Sequence, residues 1–183
     1  MPLDIGWGII AAIMVSKIGL LPLNWTMIAA AAAFALLPDV DFLLYAFRRD
    51  ADEFSHEHRD LLHNPLLFVP IGFVIIAPFS SGFAWLFVLC AVGHFLHDSV
   101  GMGWGVRWRY PFSRRYYKFF SDKRGKMSSN VITSWTPEEQ RAAAREFGNP
   151  HWMRDYLMFS PELIIEILFF AAAVMALAIL WYR

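Results

Sequence analysis

The residues in this chain best suited to chemistry are histidines and aspartates gathered in three short segments. His94-Phe95-Leu96-His97-Asp98 stands near the end of an apolar stretch, with His94 and Asp98 one helical turn apart. His97 falls between them in angle, so all three point to one helix face, an arrangement that lipid tolerates only with partners opposite. The segment from His56 to Asn64 places His56, His58 and His63, three of the chain's six histidines, within eight residues. Neutral imidazole is the commonest side-chain metal ligand, so this is a metal-binding composition. Leu37-Pro38-Asp39-Val40-Asp41 sets two carboxylates two residues apart inside an apolar run, which is costly without a cation or proton partner. Each segment also has a plainer reading, as a polar helix face, a solvated loop and an interfacial Pro-Asp turn.

The elements that must position these groups are apolar. Apolar residues make up 57% of the 183-residue chain and charged ones 17%, against about 45–50% and about 25% in soluble proteins. Five apolar stretches, at 5–21, 24–37, 65–79, 82–99 and 161–182, predict an all-α membrane protein. The expected fold is a compact bundle of about five transmembrane or membrane-embedded helices with a helical cytoplasmic segment. The last stretch has clear spanning length. Ser160-Pro161-Glu162 opens it with an N-cap, a first-turn proline and an acid at the positive helix end, and Trp181-Tyr182-Arg183 closes it as an interfacial anchor. At about 1.5 Å per residue it covers about 33 Å, enough for a hydrocarbon core of about 30 Å. Pro70 and Pro78 are expected to kink or end the third stretch.

One domain over 1–183 is expected: four apolar helices carrying the motifs at 1–99, a basic and aromatic interfacial segment at 100–160, and the C-terminal transmembrane helix at 161–183. Within the middle segment, Thr136-Pro137-Glu138-Glu139 is a capping box with proline at N1, starting a helix that stops at Gly148-Asn149-Pro150. The piece at 151–159 reads as a short amphipathic helix. Cys90 is the single cysteine, which rules out an intrachain disulfide and reads as a buried apolar residue. The first residues lack the basic region of a cleaved signal peptide, so the first stretch is expected to remain.

If all five stretches cross, segments 39–64 and 100–160 share a face with the N-terminus, and that face holds 14 of the 16 Lys and Arg residues. The positive-inside rule makes it cytoplasmic. The three motifs then arrive at that same face. Imidazole and carboxylate without thiolate suits zinc, manganese or iron and disfavours an all-oxygen magnesium or calcium cage. Asp39, Asp41, His58, His63, His94 and Asp98 suffice for two ions about 3.5–4 Å apart, or for one ion with carboxylates in its outer shell.

Leu37-Pro38-Asp39-x-Asp41, His58-Arg59-x-x-x-His63 and His94-x-x-x-Asp98, followed by Gly101 or Gly103 and Tyr110-Pro111-Phe112, resemble the LexA-regulated, inner-membrane metal-dependent hydrolase family over roughly residues 10–112. The resemblance implies a polytopic inner-membrane protein with a metal-hydrolase site at these positions. Two features depart from the family pattern: the first stretch has no His, and Asn64 stands where Ser is usual.

The expected activity is metal-dependent hydrolysis at the cytoplasmic interface, on a phosphoester of a membrane lipid. In that reading Arg59 holds an anionic oxygen, and His58 and His97, or His56, serve the reaction beside the metal. Arg59 suits equally well a structural pairing with Asp60, Glu57 or a motif carboxylate. Residues 107–126 hold eight basic and seven aromatic side chains, which fit anionic headgroups better than nucleic acid in a membrane protein. The rival reading is a non-catalytic protein in which a metal staples the bundle or serves ion or proton transport. Transport predicts polar residues through the membrane, yet the fifth stretch offers only Glu162 and Glu166.

Overall fold

The computed structural model describes residues 1–41, 62–101, 103–149, 151–158 and 160–182, with the backbone alone at 152 and 153. In chain order the elements are α1 (Pro2–Lys17), α2 (Trp25–Leu36), a 3-10 turn (Leu37–Asp39), α3 (Pro65–Ile76), α4 (Ser81–Val100), β1 (Tyr116–Ser121), β2 (Met127–Trp135), α5 (Pro137–Phe147), α6 (Trp152–Leu157) and α7 (Pro161–Trp181). Each of the five apolar stretches thus forms a helix. Among the described residues, only α4 and α7 are long and apolar enough to cross a membrane; α2 and α3 are shorter, so length alone does not give five spans. The helix α3 runs through Pro70 and ends before Pro78.

Two compact units emerge: Met1–Pro38 with Val69–His94 and Met153–Arg183, and Asp39–Phe68 with Phe95–Trp152. The first is helical. Its core joins Ala11, Ala12 and Val15 of α1 to Met27, Ala31 and Ala35 of α2 and to Leu86 and Cys90 of α4. Small residues let these backbones close up: a Cβ on Gly8 would lie 2.9 Å from the Ala31 carbonyl oxygen. The contact of α1 with α7 is built on Ile9, Ala173 and Leu177. Ser160 caps α7 as expected, its hydroxyl accepting from the Leu163 amide at 3.1 Å. The opposite side of α7 leaves Ile164, Ile165, Leu168, Met175 and Ile179 exposed, as a lipid-facing helix does.

Trp7 fixes α1 against α4. Its indole Nε1 donates to the Leu89 carbonyl at 2.7 Å, over Gly93, where a Cβ would lie only 1.8 Å from that nitrogen. Gly93→Ala is therefore expected to unseat Trp7 and destabilise the helical unit by about 1–3 kcal/mol. Thermal unfolding in detergent checks this, and an unchanged midpoint would refute it.

The second unit corrects the all-α expectation, because β1 and β2 form an antiparallel hairpin pairing Tyr116 with Trp135 and Lys118 with Thr133. Tyr-Tyr-Lys-Phe-Phe and Val-Ile-Thr are aromatic and β-branched runs, and the turn between them holds Gly125 at φ 78°. Asp122 closes that turn, its Oδ1 accepting from the Arg124 and Lys126 amides at 2.8 and 3.0 Å. The register shifts between Phe119 and Ser121, where Phe120 takes φ 52°. Behind the hairpin, Trp104 and Trp135 pack with Ala143 and Ala144 of α5. Thr136 and Glu139 make the reciprocal bonds of the expected capping box.

Lys118 is buried and donates to the carbonyls of Gly103 and Gly125 at 2.8 and 3.2 Å. Arg107 lies over the rings of Tyr110 and Tyr116. Lys118 and Arg107 therefore serve the fold. Gly105, at φ 85°, lets the segment pass the hairpin: a Cβ there would lie 2.4 Å from the Tyr117 carbonyl oxygen. The Trp108 indole donates to Ser99 Oγ at 2.7 Å, tying this segment to the end of α4.

Candidate metal centre

Within the second unit, three carboxylates converge on one imidazole. Asp39 ends the 3-10 turn that follows α2, Asp41 lies two residues on, His63 stands two residues before α3, and Asp98 sits in the last turn of α4. The break before α3 is local in origin. Asn64, a favoured residue at a helix start, precedes Pro65 at the first helical position, and its carbonyl accepts from the Phe68 amide at 2.8 Å. His63 is thereby held outside the helix, its ring set edge-on to Phe95 of α4.

The two ring nitrogens face different acids. His63 Nδ1 lies 3.1 Å from Asp41 Oδ2, which also accepts from the Leu62 amide at 3.2 Å. His63 Nε2 lies 3.1 Å from Asp98 Oδ2 and 3.6 Å from Asp39 Oδ1. His63 and Asp41 are closed off, Asp98 nearly so, and the Asp39 side chain is 24% exposed, leaving it the open side of the cluster. Burial alone would push the His63 ring down, but hydrogen bonds with Asp39, Asp41 and Asp98 outweigh it and raise the ring to about 9.

The donor set fits a divalent cation. Even a protonated His63 brings one positive charge to three carboxylates, and buried negative charge in excess is expensive unless a cation balances it. Asp41 Oδ1 is buried without a hydrogen-bond partner among the described residues. The bond from Nδ1 to Asp41 orients the ring and leaves Nε2 toward Asp39 and Asp98, the pattern of a ligating histidine held by an outer carboxylate.

His94 lies one turn before Asp98 on α4 and is buried. Within the first unit its Nδ1 is 3.3 Å from Asp4 Oδ1. His97 is half-buried near the end of α4, its carbonyl accepting from the Gly101 amide at 2.7 Å. His56, His58 and Arg59 lie outside the described residues.

Sequence reasoning missed Asp4, taking the first residues only as lacking a basic leader. A lone carboxylate in the first turn of an apolar helix was the available signal. Glu166 is likewise buried, its Oε2 3.2 Å from the Met1 amino group. Burial and the neighbouring Glu166 carboxylate hold the Tyr156 phenol above its ordinary value.

Comparison with curated proteins and with solved structures finds no match. Two apolar helices of spanning length and a family model covering residues 4–183 agree on an inner-membrane location. With nearly its whole length matched, the chain belongs to the YdjM inner membrane protein family.

Proposed function

We propose that this chain is a metal-dependent hydrolase working at the cytoplasmic face of the inner membrane on a phosphoester of a membrane lipid. The observation that carries the proposal is the convergence of Asp39, Asp41 and Asp98 on a buried His63. Asp39, Asp98 and His63 Nε2 are the ligands, and Asp41 holds the His63 ring from its far side. Zinc suits this mixed set best and manganese next.

A bound divalent ion supplies Lewis acidity, polarising a phosphoryl oxygen and lowering the pKa of a water. The chain's own residues do the rest. Asp39, the most exposed of the acids, marks the side from which substrate and water enter. Arg59, four residues before His63, is assigned the anionic oxygens of the substrate, and His58 or His97 carries the proton.

The lipid assignment rests on the second unit. Phe112, Met127, Val131 and Ile132 are exposed there, alongside Lys123 and Arg124. Apolar side chains interleaved with exposed cations suit an anionic headgroup layer. The 14 Lys and Arg residues of the segments 39–64 and 100–160 support the cytoplasmic side for that layer by the positive-inside rule.

Purified protein in zinc-supplemented vesicles of phosphatidylglycerol and phosphatidylethanolamine is expected to release phosphate or a phosphorylated headgroup. An Asp98→Asn variant is expected to lose that turnover by at least about a hundredfold, the upper end for a group that orients or ligates a metal. Bound metal with no turnover on any lipid or soluble phosphoester would instead favour a metal that staples the bundle.

A further inference from the structure

We infer that the turn end of the β1–β2 hairpin is a membrane anchor, which inserts its apolar side chains among the headgroups of an anionic phospholipid surface. The inference rests on the lipid reading above and names the element that meets the lipid.

A mismatch between the strands builds this end. Phe119 pairs with Ile132 and Ser121 with Met127, so Phe120 alone stands against residues 128–131. The large side chains here are not turned into the fold: Met127, Val131, Ile132 and Phe120 are 87%, 64%, 60% and 49% exposed. Phe120 takes φ 52°, a conformation that is costly for a bulky residue and persists only where its surroundings enforce it. Four large apolar side chains left in water beside a sheet edge invite aggregation unless an apolar phase covers them.

Charge selects the covering phase. Residues 107–126 hold eight basic side chains against one acidic, Asp122. Lys123, Arg124 and Lys126 in the turn are exposed. Asp122 orders that turn, its Oδ1 accepting from the Arg124 and Lys126 amides while its Oδ2 lies 3.0 Å from Arg124 Nε. Cations set beside an apolar tip match an anionic bilayer, which presents phosphate outside and acyl chain within. Nucleic acid is the poorer match. Met127, Val131 and Ile132 have no ring to stack on a base, and Phe119 is already stacked with Trp108.

The test uses the full chain reconstituted into vesicles that carry a nitroxide-labelled lipid, which quenches a fluorophore at the bilayer surface. The fluorophore is placed on Met127→Cys and, as a control, on Glu138→Cys of α5, a position 78% exposed. Wild-type chain, whose single cysteine is buried, gives the labelling blank. In vesicles of phosphatidylglycerol and phosphatidylcholine, the probe at 127 is expected to be quenched at least about twofold more than the probe at 138. That excess is expected to be lost in phosphatidylcholine alone, and in Arg124→Gln combined with Lys126→Gln. Equal quenching of the two probes, or the same excess in both lipids, would overturn the inference. So would release of the probe at 127 from lipid by added RNA. If the double variant does not fold, the comparison of the two lipids still decides. Quenching needs no turnover, so its absence would strike the anchor alone, whereas contact without hydrolysis would strike the enzyme reading alone.

Discussion

Replacing His63 with Ala is expected to lower the affinity for a divalent metal by more than about a hundredfold, beyond the about 10- to 100-fold that loss of an outer-shell partner costs. Three carboxylates address this ring, two at Nε2 and one at Nδ1. The substitution removes a ligand and also a side chain that Asp39, Asp41 and Asp98 all meet. In chelator-treated protein the same change is expected to cost about 3–5 kcal/mol, the range for breaking a buried ionic pair. The remaining acids would take up protons, so the loss is expected to shrink at low pH. Isothermal titration with zinc and thermal unfolding in detergent measure the two effects. Wild-type zinc affinity in the variant would remove His63 from the site.

Acidity gives the second large effect, a loss of stability with rising pH confined to the metal-free chain. His63 titrates near 6.5 when unfolded and is raised to about 9 in the folded, metal-free chain. A raised pKa contributes stability that is complete below the unfolded value and vanishes as pH climbs through the folded one. Chelator-treated protein is therefore expected to lose stability between pH 6.5 and 9, by at most about 1.4 kcal/mol per pH unit. Metal must displace the same proton, so zinc affinity is expected to rise over that window. Melting midpoints at pH 6.5, 7.5 and 8.5, with zinc and with chelator, are expected to diverge. Parallel trends in both states would contradict a metal competing for the His63 proton.

Much of the helical framework was legible from hydropathy and end signals. Ser160-Pro161 and the Thr136 capping box start helices where their local chemistry requires. The hairpin was not legible, because in Tyr116–Ser121 and Met127–Trp135 the basic and aromatic composition that suggests an interface also hides the β-branched and aromatic preference for strands. Lys118 shows the limit from another side, since nothing in a run of cations marks the one that turns inward to bond Gly103 and Gly125.

Within the candidate site, Asp39, Asp41, His63 and Asp98 were recognisable from residue type and from apolar surroundings, both of which follow from the cost of burying charge. Which ring nitrogen meets which acid was not, because that depends on the turn at Asn64-Pro65 and the pitch of α4. Asp4, outside that cluster, was hidden for a different reason: it lies 90 residues from His94 in sequence, and only the packing of α1, locked by Trp7 over Gly93, brings it there. His58 and Arg59 stay as the sequence placed them.

The central claim, that Asp39, His63 and Asp98 hold a divalent cation, is tested most directly by elemental analysis with X-ray absorption on protein purified without chelators. Wild-type protein is expected to carry about one zinc or manganese ion per chain in a shell of nitrogen and oxygen at about 2.0–2.2 Å, without sulfur. Asp39→Ala and His63→Ala are expected to lose it. A wild-type chain that takes up no metal, or wild-type metal content in both variants, would contradict the account.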